Sequence, residues 1–137
     1  MKKVWFITGA GKGIGHAIAT AALKAGDYVV ATTRKEKGFI APEQYAENAL
    51  NLTLDVSDWK EDVYNTAVAM AVKKFGRIDV LVNNAGYGAI TNFEETREET
   101  IRRLFEVNVF GLMRVTRAVL PTMRRQRSGH IFNISSV

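Results

Sequence analysis

The segment "TGAGKGIG", Thr8 to Gly15, constrains the fold more than any other stretch of this chain. It stands between a short apolar run, "VWFIT" (Val4 to Thr8), and a helical repeat formed by Ile14, Ala17, Ile18, Ala21, Ala22 and Ala25, which Gly26 and Asp27 interrupt. A buried strand that turns through glycines into a helix is the start of a strand-helix-strand unit. The glycines have separate tasks there. Gly9 allows the tight turn, Gly13 lets a pyrophosphate approach the backbone, and Gly15 lets the helix pack close to the sheet. The first amides of the helix, Ile14 among them, supply donors and positive potential for phosphate. The spacing is G-x-x-x-G-x-G and not the commoner G-x-G-x-x-G. Its place between a strand and a helix therefore carries the reading.

The same alternation continues along the chain. "YVVATT" (Tyr28 to Thr33) reads as a second strand and "LNLTLDV" (Leu50 to Val56) as a third. Ser57 and Asp58 can cap a helix whose apolar positions include Trp59, Val63, Ala67, Met70, Ala71 and Phe75, with Gly76 ending it. "DVLVNN" (Asp79 to Asn84) is a fourth strand. Thr96-Arg97-Glu98-Glu99 has the pattern of a capping box and opens a long helical region through Leu104, Phe105, Val109, Leu112, Val115, Val119 and Leu120. Pro121 is expected to kink that region near its end. Ser128-Gly129 breaks it, and His130 to Ile134 reads as a buried fifth strand. Nearly unbroken apolar strands alternating with helices predict an α/β fold: a doubly wound, Rossmann-type parallel sheet of order 3-2-1-4-5. Its ligand crevice lies above strands one and four. No linker or repeat divides residues 1–137, which read as a single dinucleotide-binding domain.

Charge bears on the partner. The net charge is +5, and much of the excess lies in "MRRQR" (Met123 to Arg127) with Arg114 and Arg117 before it. At helical spacing these read as a solvated face and a C-terminal turn, where cations favour the helix dipole. No nucleic-acid-reading module accompanies them, so nucleic acid is not the expected partner. The run Val4 to Ile7 is too short for a membrane span or a signal-peptide core. There is no cysteine, which excludes disulfides and thiolate metal sites and suits a cytoplasmic protein. His16 and His130 stand in no ligand-spaced pair and read as structural.

The end of the second strand reads "ATTRKEK", with Thr33 and Arg34 where NAD-binding folds of this type place a carboxylate. A carboxylate repels a ribose 2′-phosphate, whereas a guanidinium grips it in bidentate fashion. Lys12, inside the glycine loop, is a second cation on the same side. The expected cofactor is NADP(H); the alternative is that both are solvated surface cations.

With these residues in view, the sequence resembles the short-chain dehydrogenase/reductase family. The matches are "TGAGKGIG", "LDVSD", "NNAG" (Asn83 to Gly86), "FEVNVFG" (Phe105 to Gly111) and "NISS" (Asn133 to Ser136), in that order. "NNAGYG" with "GLMRVTRAVLPTMRRQRSGHIFNISS" (Gly111 to Ser136) looks most like bacterial members near the 17β-hydroxysteroid and retinol dehydrogenase-like branch. The resemblance implies hydride transfer between a nicotinamide and a small-molecule carbonyl or secondary alcohol. It implies that Asp55 binds the adenine amino group with the Val56 backbone beside it, and that Asn83, Ala85 and Gly86 shape the crevice wall and meet the cofactor. A cap beside a helix is the other reading of Asp55. Asn108, polar within the apolar stretch Phe105 to Met113, is implied to hold a proton-relay water; a satisfied buried amide is the plainer reading. Ser136 is implied to hydrogen-bond the substrate oxygen, with Ser135 the lesser candidate.

The family also uses a Tyr-x-x-x-Lys pair, the tyrosine exchanging the hydroxyl proton. Here Tyr28, Tyr45, Tyr64 and Tyr87 are followed four places on by Thr32, Ala49, Val68 and Thr91. The expectation is therefore the cofactor-binding, N-terminal part of a longer enzyme, cut after the fifth strand and homo-oligomeric in its full-length form. The alternatives are a non-catalytic NADP(H)-binding module, or a subunit completed by a partner chain.

Overall fold

The strands send successive apolar residues to opposite sides, which sorts the core into two layers. A computed structural model describes residues 1–135. The strands are β1 (Val4–Thr8), β2 (Tyr28–Thr33), β3 (Ala49–Thr53), β4 (Val80–Asn83) and β5 (His130–Asn133). They pair in parallel in the order β3-β2-β1-β4-β5, as the sequence predicts. Val4, Phe6, Val30 and Leu81 pack on one side with residues of α2 (Glu61–Phe75) and α4 (Leu112–Gln126), including Tyr64, Val68, Val115 and Val119. Ile7, Val29, Ala31 and Val82 pack on the other with Ala19 and Leu23 of α1 (Gly13–Lys24). Both faces are thus covered over the central strands β2, β1 and β4, the condition under which a parallel sheet persists in water. Phe6, Ile7, Leu23 and Leu81 are fully buried, each stabilising the fold by about 1.5–3 kcal/mol.

The amino ends of the strands are tied shut. Asp79 accepts the Val4 N–H at 2.9 Å and the Arg77 Nε–H at 2.7 Å. Gln126, at the end of α4, accepts from the Ile78 N–H at 2.9 Å and donates to its carbonyl at 2.7 Å. At the carboxyl ends the loops after β1, β2, β3 and β4 line a cleft.

Packing corrects several local expectations. The buried face of α1 is Gly15, Ala19, Ala22 and Leu23, whereas Ile14, Ala17, Ala21 and Ala25 are exposed. Alanines at several phases leave the face undetermined, and the bulky Leu23 decides it. Trp59 precedes α2 and is 77% exposed, and Met70 lies on the outer side of that helix. Neither Ser57 nor Asp58 caps α2. Its N-cap is Lys60, whose N–H is accepted by Asp58 Oδ1 at 2.9 Å. The capping box does not form, since Thr96 Oγ1 donates to Asn92 O at 2.9 Å and α3 (Glu98–Phe105) starts after Arg97. Strand β3 stops at Thr53, though Leu54 and Val56 beyond it are buried. Strand β5 is exposed along its whole length, because β4 is its one neighbour in the described sheet.

The long helical region is interrupted by a wide turn. Between α3 and α4, Glu106–Gly111 forms a π-helix with right-handed backbone at both junctions. Gly111 closes that turn where the helix meets the loop after β3, and an added Cβ there would stand 2.6 Å from Val56 O. Pro121 sits inside α4, which continues to Gln126. Arg124 and Arg125 occupy its last turn, while Arg114 is half-buried and pairs with Glu106 at 2.9 Å. Among the described residues no helix is long and apolar enough to cross a membrane.

Candidate functional site

The hydroxyl of Thr8, where β1 ends, joins the two loops at the switch point of the sheet. Thr8 Oγ1 accepts the N–H groups of Asn84 and Ala85, each at 3.0 Å. The Asn84 side chain donates from Nδ2 to Thr8 O at 3.2 Å and to Gly9 O at 3.0 Å. The loop after β4 therefore grips the glycine loop after β1. Asn84 is a site residue that the sequence pattern does not single out. Its only signal is the doubled asparagine beside a glycine turn.

On this base the glycines do different work. Gly15 allows close approach: an added Cβ would lie 2.4 Å from both Gly9 O and Asn84 Nδ2. Gly13 has φ +60°, and nothing lies within 4 Å of where its Cβ would be. Lys12 is the N-cap of α1 with no side-chain cap bond, so the first amides of α1 have no capping side chain. The Ile14 side chain is exposed.

A cleft of about 560 Å³ opens along these carboxyl ends. Of the predicted residues, Gly9, Lys12, Gly13 and Arg34 line one part, and Asp55, Val56, Ala85 and Gly86 another. Lys35, Tyr87 and Arg103 join them, so four cations face one carboxylate. Arg34 follows β2 directly, and Thr33 Oγ1 donates to Lys35 O at 2.7 Å, holding that corner. Asp55 accepts the Ser57 N–H at 2.9 Å and its hydroxyl at 2.7 Å. Partial burial raises the Asp55 pKa, but the Ser57 bonds, with Arg103 and Arg34, outweigh it and hold the carboxyl below its usual 3.8. An ionised acceptor thus stands among cations.

Two predicted residues are placed differently from the expectation, Asn83 and Asn108. Asn83 is buried below the cleft wall, donating to Thr116 Oγ1 and Asn133 Oδ1, each at 3.0 Å, and its own Oδ1 has no partner among the described residues. It links β4 to β5 and α4 and does not line the cleft. Asn108 lies in the π turn and is exposed, not buried, yet its amide bonds the Tyr87 main chain through both its oxygen and its nitrogen. Its Oδ1 accepts the Tyr87 N–H at 2.8 Å, and its Nδ2 donates to Tyr87 O at 2.7 Å. Ser136 lies outside the described residues; the strand leading to it runs beside β4, with Ile134 N–H on Asn83 O at 3.0 Å.

Of the tyrosines, Tyr64 is poorly placed for proton exchange. It is buried and its hydroxyl donates to Asp58 O, with Asp55 O at 3.3 Å. Burial raises its pKa above the usual 10.0 despite the opposing Arg114 charge. A phosphate-bearing adenine dinucleotide needs open backbone, amide donors, cations for phosphate and an acceptor for the adenine amine. The residues present fit those needs.

Comparison with known proteins points the same way. A family model described as short chain dehydrogenase matches residues 3–137. Oxidoreductase BOA17 of Botryotinia fuckeliana is 44% identical, the match covering 100% of this chain and 50% of that protein. The L-fucose dehydrogenase of Bos taurus is 37% identical over 98% of this chain and 49% of its own length. A short-chain dehydrogenase from Streptomyces avermitilis superposes with a TM-score of 0.88 at 44% identity, covering 99% of this chain and 50% of that one. The 3-ketoacyl-(acyl-carrier-protein) reductase from Brucella melitensis, complexed with NADH, gives 0.87 at 36% identity, over 98% and 57%. An ElxO variant with NADPH bound gives 0.88 at 36% identity, over 99% and 56%. The chain spans about half the length of the relatives it matches.

Proposed function

The chain belongs to the short-chain dehydrogenase family, and from that premise we propose that its 137 residues are the NADP(H)-binding domain of an oxidoreductase acting on a small carbonyl compound or secondary alcohol. The observation that carries this reading is the cleft itself, where Arg34 and Lys12 border the open backbone at Gly13. When bound, a nicotinamide cofactor supplies or accepts the hydride. The residues of this chain bind and orient it. The amides of Gly13, Ile14 and Gly15 receive the pyrophosphate, Arg34 and Lys12 the 2′-phosphate, and Asp55 with the Val56 backbone the adenine. Ala85 and Gly86 form the opposite wall. Asn83 supports that wall from beneath, and Asn108 holds it through Tyr87.

The chemistry is assigned to the whole enzyme. No tyrosine of this chain is followed four residues on by lysine, and losing a general acid costs about 10²–10⁴ in rate. Ser136 contributes the substrate hydrogen bond. A homo-oligomeric full-length protein is part of the same reading, supported by the apolar stripe of Phe105, Val109 and Met113, each about half exposed. So is a cytoplasmic location, which a cysteine-free sequence suits.

Calorimetric titration of the 137-residue protein with NADPH and NADH tests the cofactor. The expected outcome is saturable binding that favours NADPH about ten- to hundredfold, from one charge-assisted contact of about 1.5–3 kcal/mol. Arg34→Asp should abolish the preference. Equal affinities that Arg34→Asp leaves unchanged would refute the NADP(H) assignment. Robust carbonyl reduction by this chain alone would refute the assignment of proton transfer to residues outside it. Binding without turnover in every longer form would favour the non-catalytic module.

A further inference from the structure

We propose that Arg103, which lines the cleft with Asp55, is a binding residue for the adenine ring. This rests on the dinucleotide reading of the cleft but not on the choice of NADP(H).

Two arginines stand side by side on α3, and their charges are used differently. Arg102 is paired with Glu98 one turn away, at 2.8 Å. Arg103 enters no salt bridge among the described residues and lines the cleft. Its guanidinium lies over the Tyr87 ring, 5.3 Å from the centroid. Tyr87 is in turn held by its main chain to Asn108. The arginine therefore rests on an anchored ring while facing the cleft. A guanidinium is planar, weakly hydrated and already disposed for stacking, so a purine can take it with little loss of freedom. Its charge also favours the ionised form of Asp55, as that of Arg34 does from β2. The arrangement offers a purine a planar cation for its face and a carboxylate acceptor for its exocyclic amine. A 2′-phosphate is served instead by the corner after β2, where Arg34 and Lys35 lie.

The test uses the 137-residue protein with ADP, NADH and NADPH as separate probes in calorimetry. Arg103→Ala is expected to weaken all three by about tenfold, the usual effect of losing one stacking partner. Arg103→Lys, which keeps the charge but not the plane, should recover only part of that loss. Tyr87→Leu separates direct contact from loop placement: in its background, Arg103→Ala must still weaken ADP binding. Unchanged affinity for ADP in Arg103→Ala overturns the proposal, as does a loss confined to NADPH, which would make Arg103 a phosphate ligand. No added loss in the Tyr87→Leu background overturns it too, as does wild-type protein that binds none of the probes. If NADH and NADPH bind equally and Arg34→Asp is silent, the NADP(H) reading fails while an Arg103 effect on ADP still stands.

Discussion

At Gly15, substituting a methyl group would push it into both Gly9 O and Asn84 Nδ2, which are backbone and tightly bonded side chain. Gly15→Ala is expected to lower stability by about 1–3 kcal/mol, read from urea unfolding. Gly13 differs, because its Cβ position is empty and only its positive φ opposes alanine. Gly13→Ala should cost about 1–2 kcal/mol of strain, yet weaken dinucleotide binding tenfold or more by filling the phosphate approach. Unfolding and titration on both variants would check the contrast. Asp55 carries a pH dependence whose sign follows from its depressed pKa. Its contribution to stability is present above 3.8 and is lost as pH falls through the lower folded value. A carbon-detected NMR titration should place the Asp55 midpoint below 3.8, and Ser57→Ala should move it upward. The Ser57 bonds explain this residue better than the helix-cap alternative, since the N-cap of α2 is Lys60.

Among the elements, the π turn has the clearest consequence. It presents Asn108 to the Tyr87 main chain, so one amide replaces the strand partner that residues after β4 no longer have. Asn108→Ala removes two hydrogen bonds of about 0.5–1.5 kcal/mol each. Hydrogen exchange at the Tyr87 amide should then accelerate about tenfold or more, while amides in β1 and β2 keep their protection. Unchanged exchange at Tyr87 would show that the clasp does not hold the loop. The turn was not legible in the sequence, because Phe105, Val109, Leu112 and Val115 suit an unbroken helix equally well. The doubled asparagine of "NNAG" hid a division of labour for a similar reason. Alternation along β4 buries Asn83 below the cleft wall and directs Asn84 to the glycine loop, and identical side chains do not announce which is which.

Across the whole molecule, the charge that reads as helix surface has a second concentration at the carboxyl ends of the strands. Lys12, Arg34, Lys35 and Arg103 come from different segments and meet only in the folded protein. Their combined field should make NADPH binding fall more steeply with added salt than NADH binding, since the extra phosphate carries the additional charge. Titrations between low and physiological ionic strength would show it, and parallel slopes would count against a phosphate site at Arg34.

Local pattern by itself determined the order of strands and helices, the parallel sheet and the place of the crevice. Each of these follows from hydrophobic period, glycine position and the rules for connecting parallel strands. Tertiary structure alone decided which residues turn inward and what each polar side chain bonds. An alanine-rich α1 has no unique apolar face until Leu23 is packed against β1 and β2. A charged side chain such as Arg103 has no assigned partner until α3 is brought to the cleft that Asp55 lines. Periodicity is a property of neighbours along the chain, whereas a binding site is a property of neighbours in space.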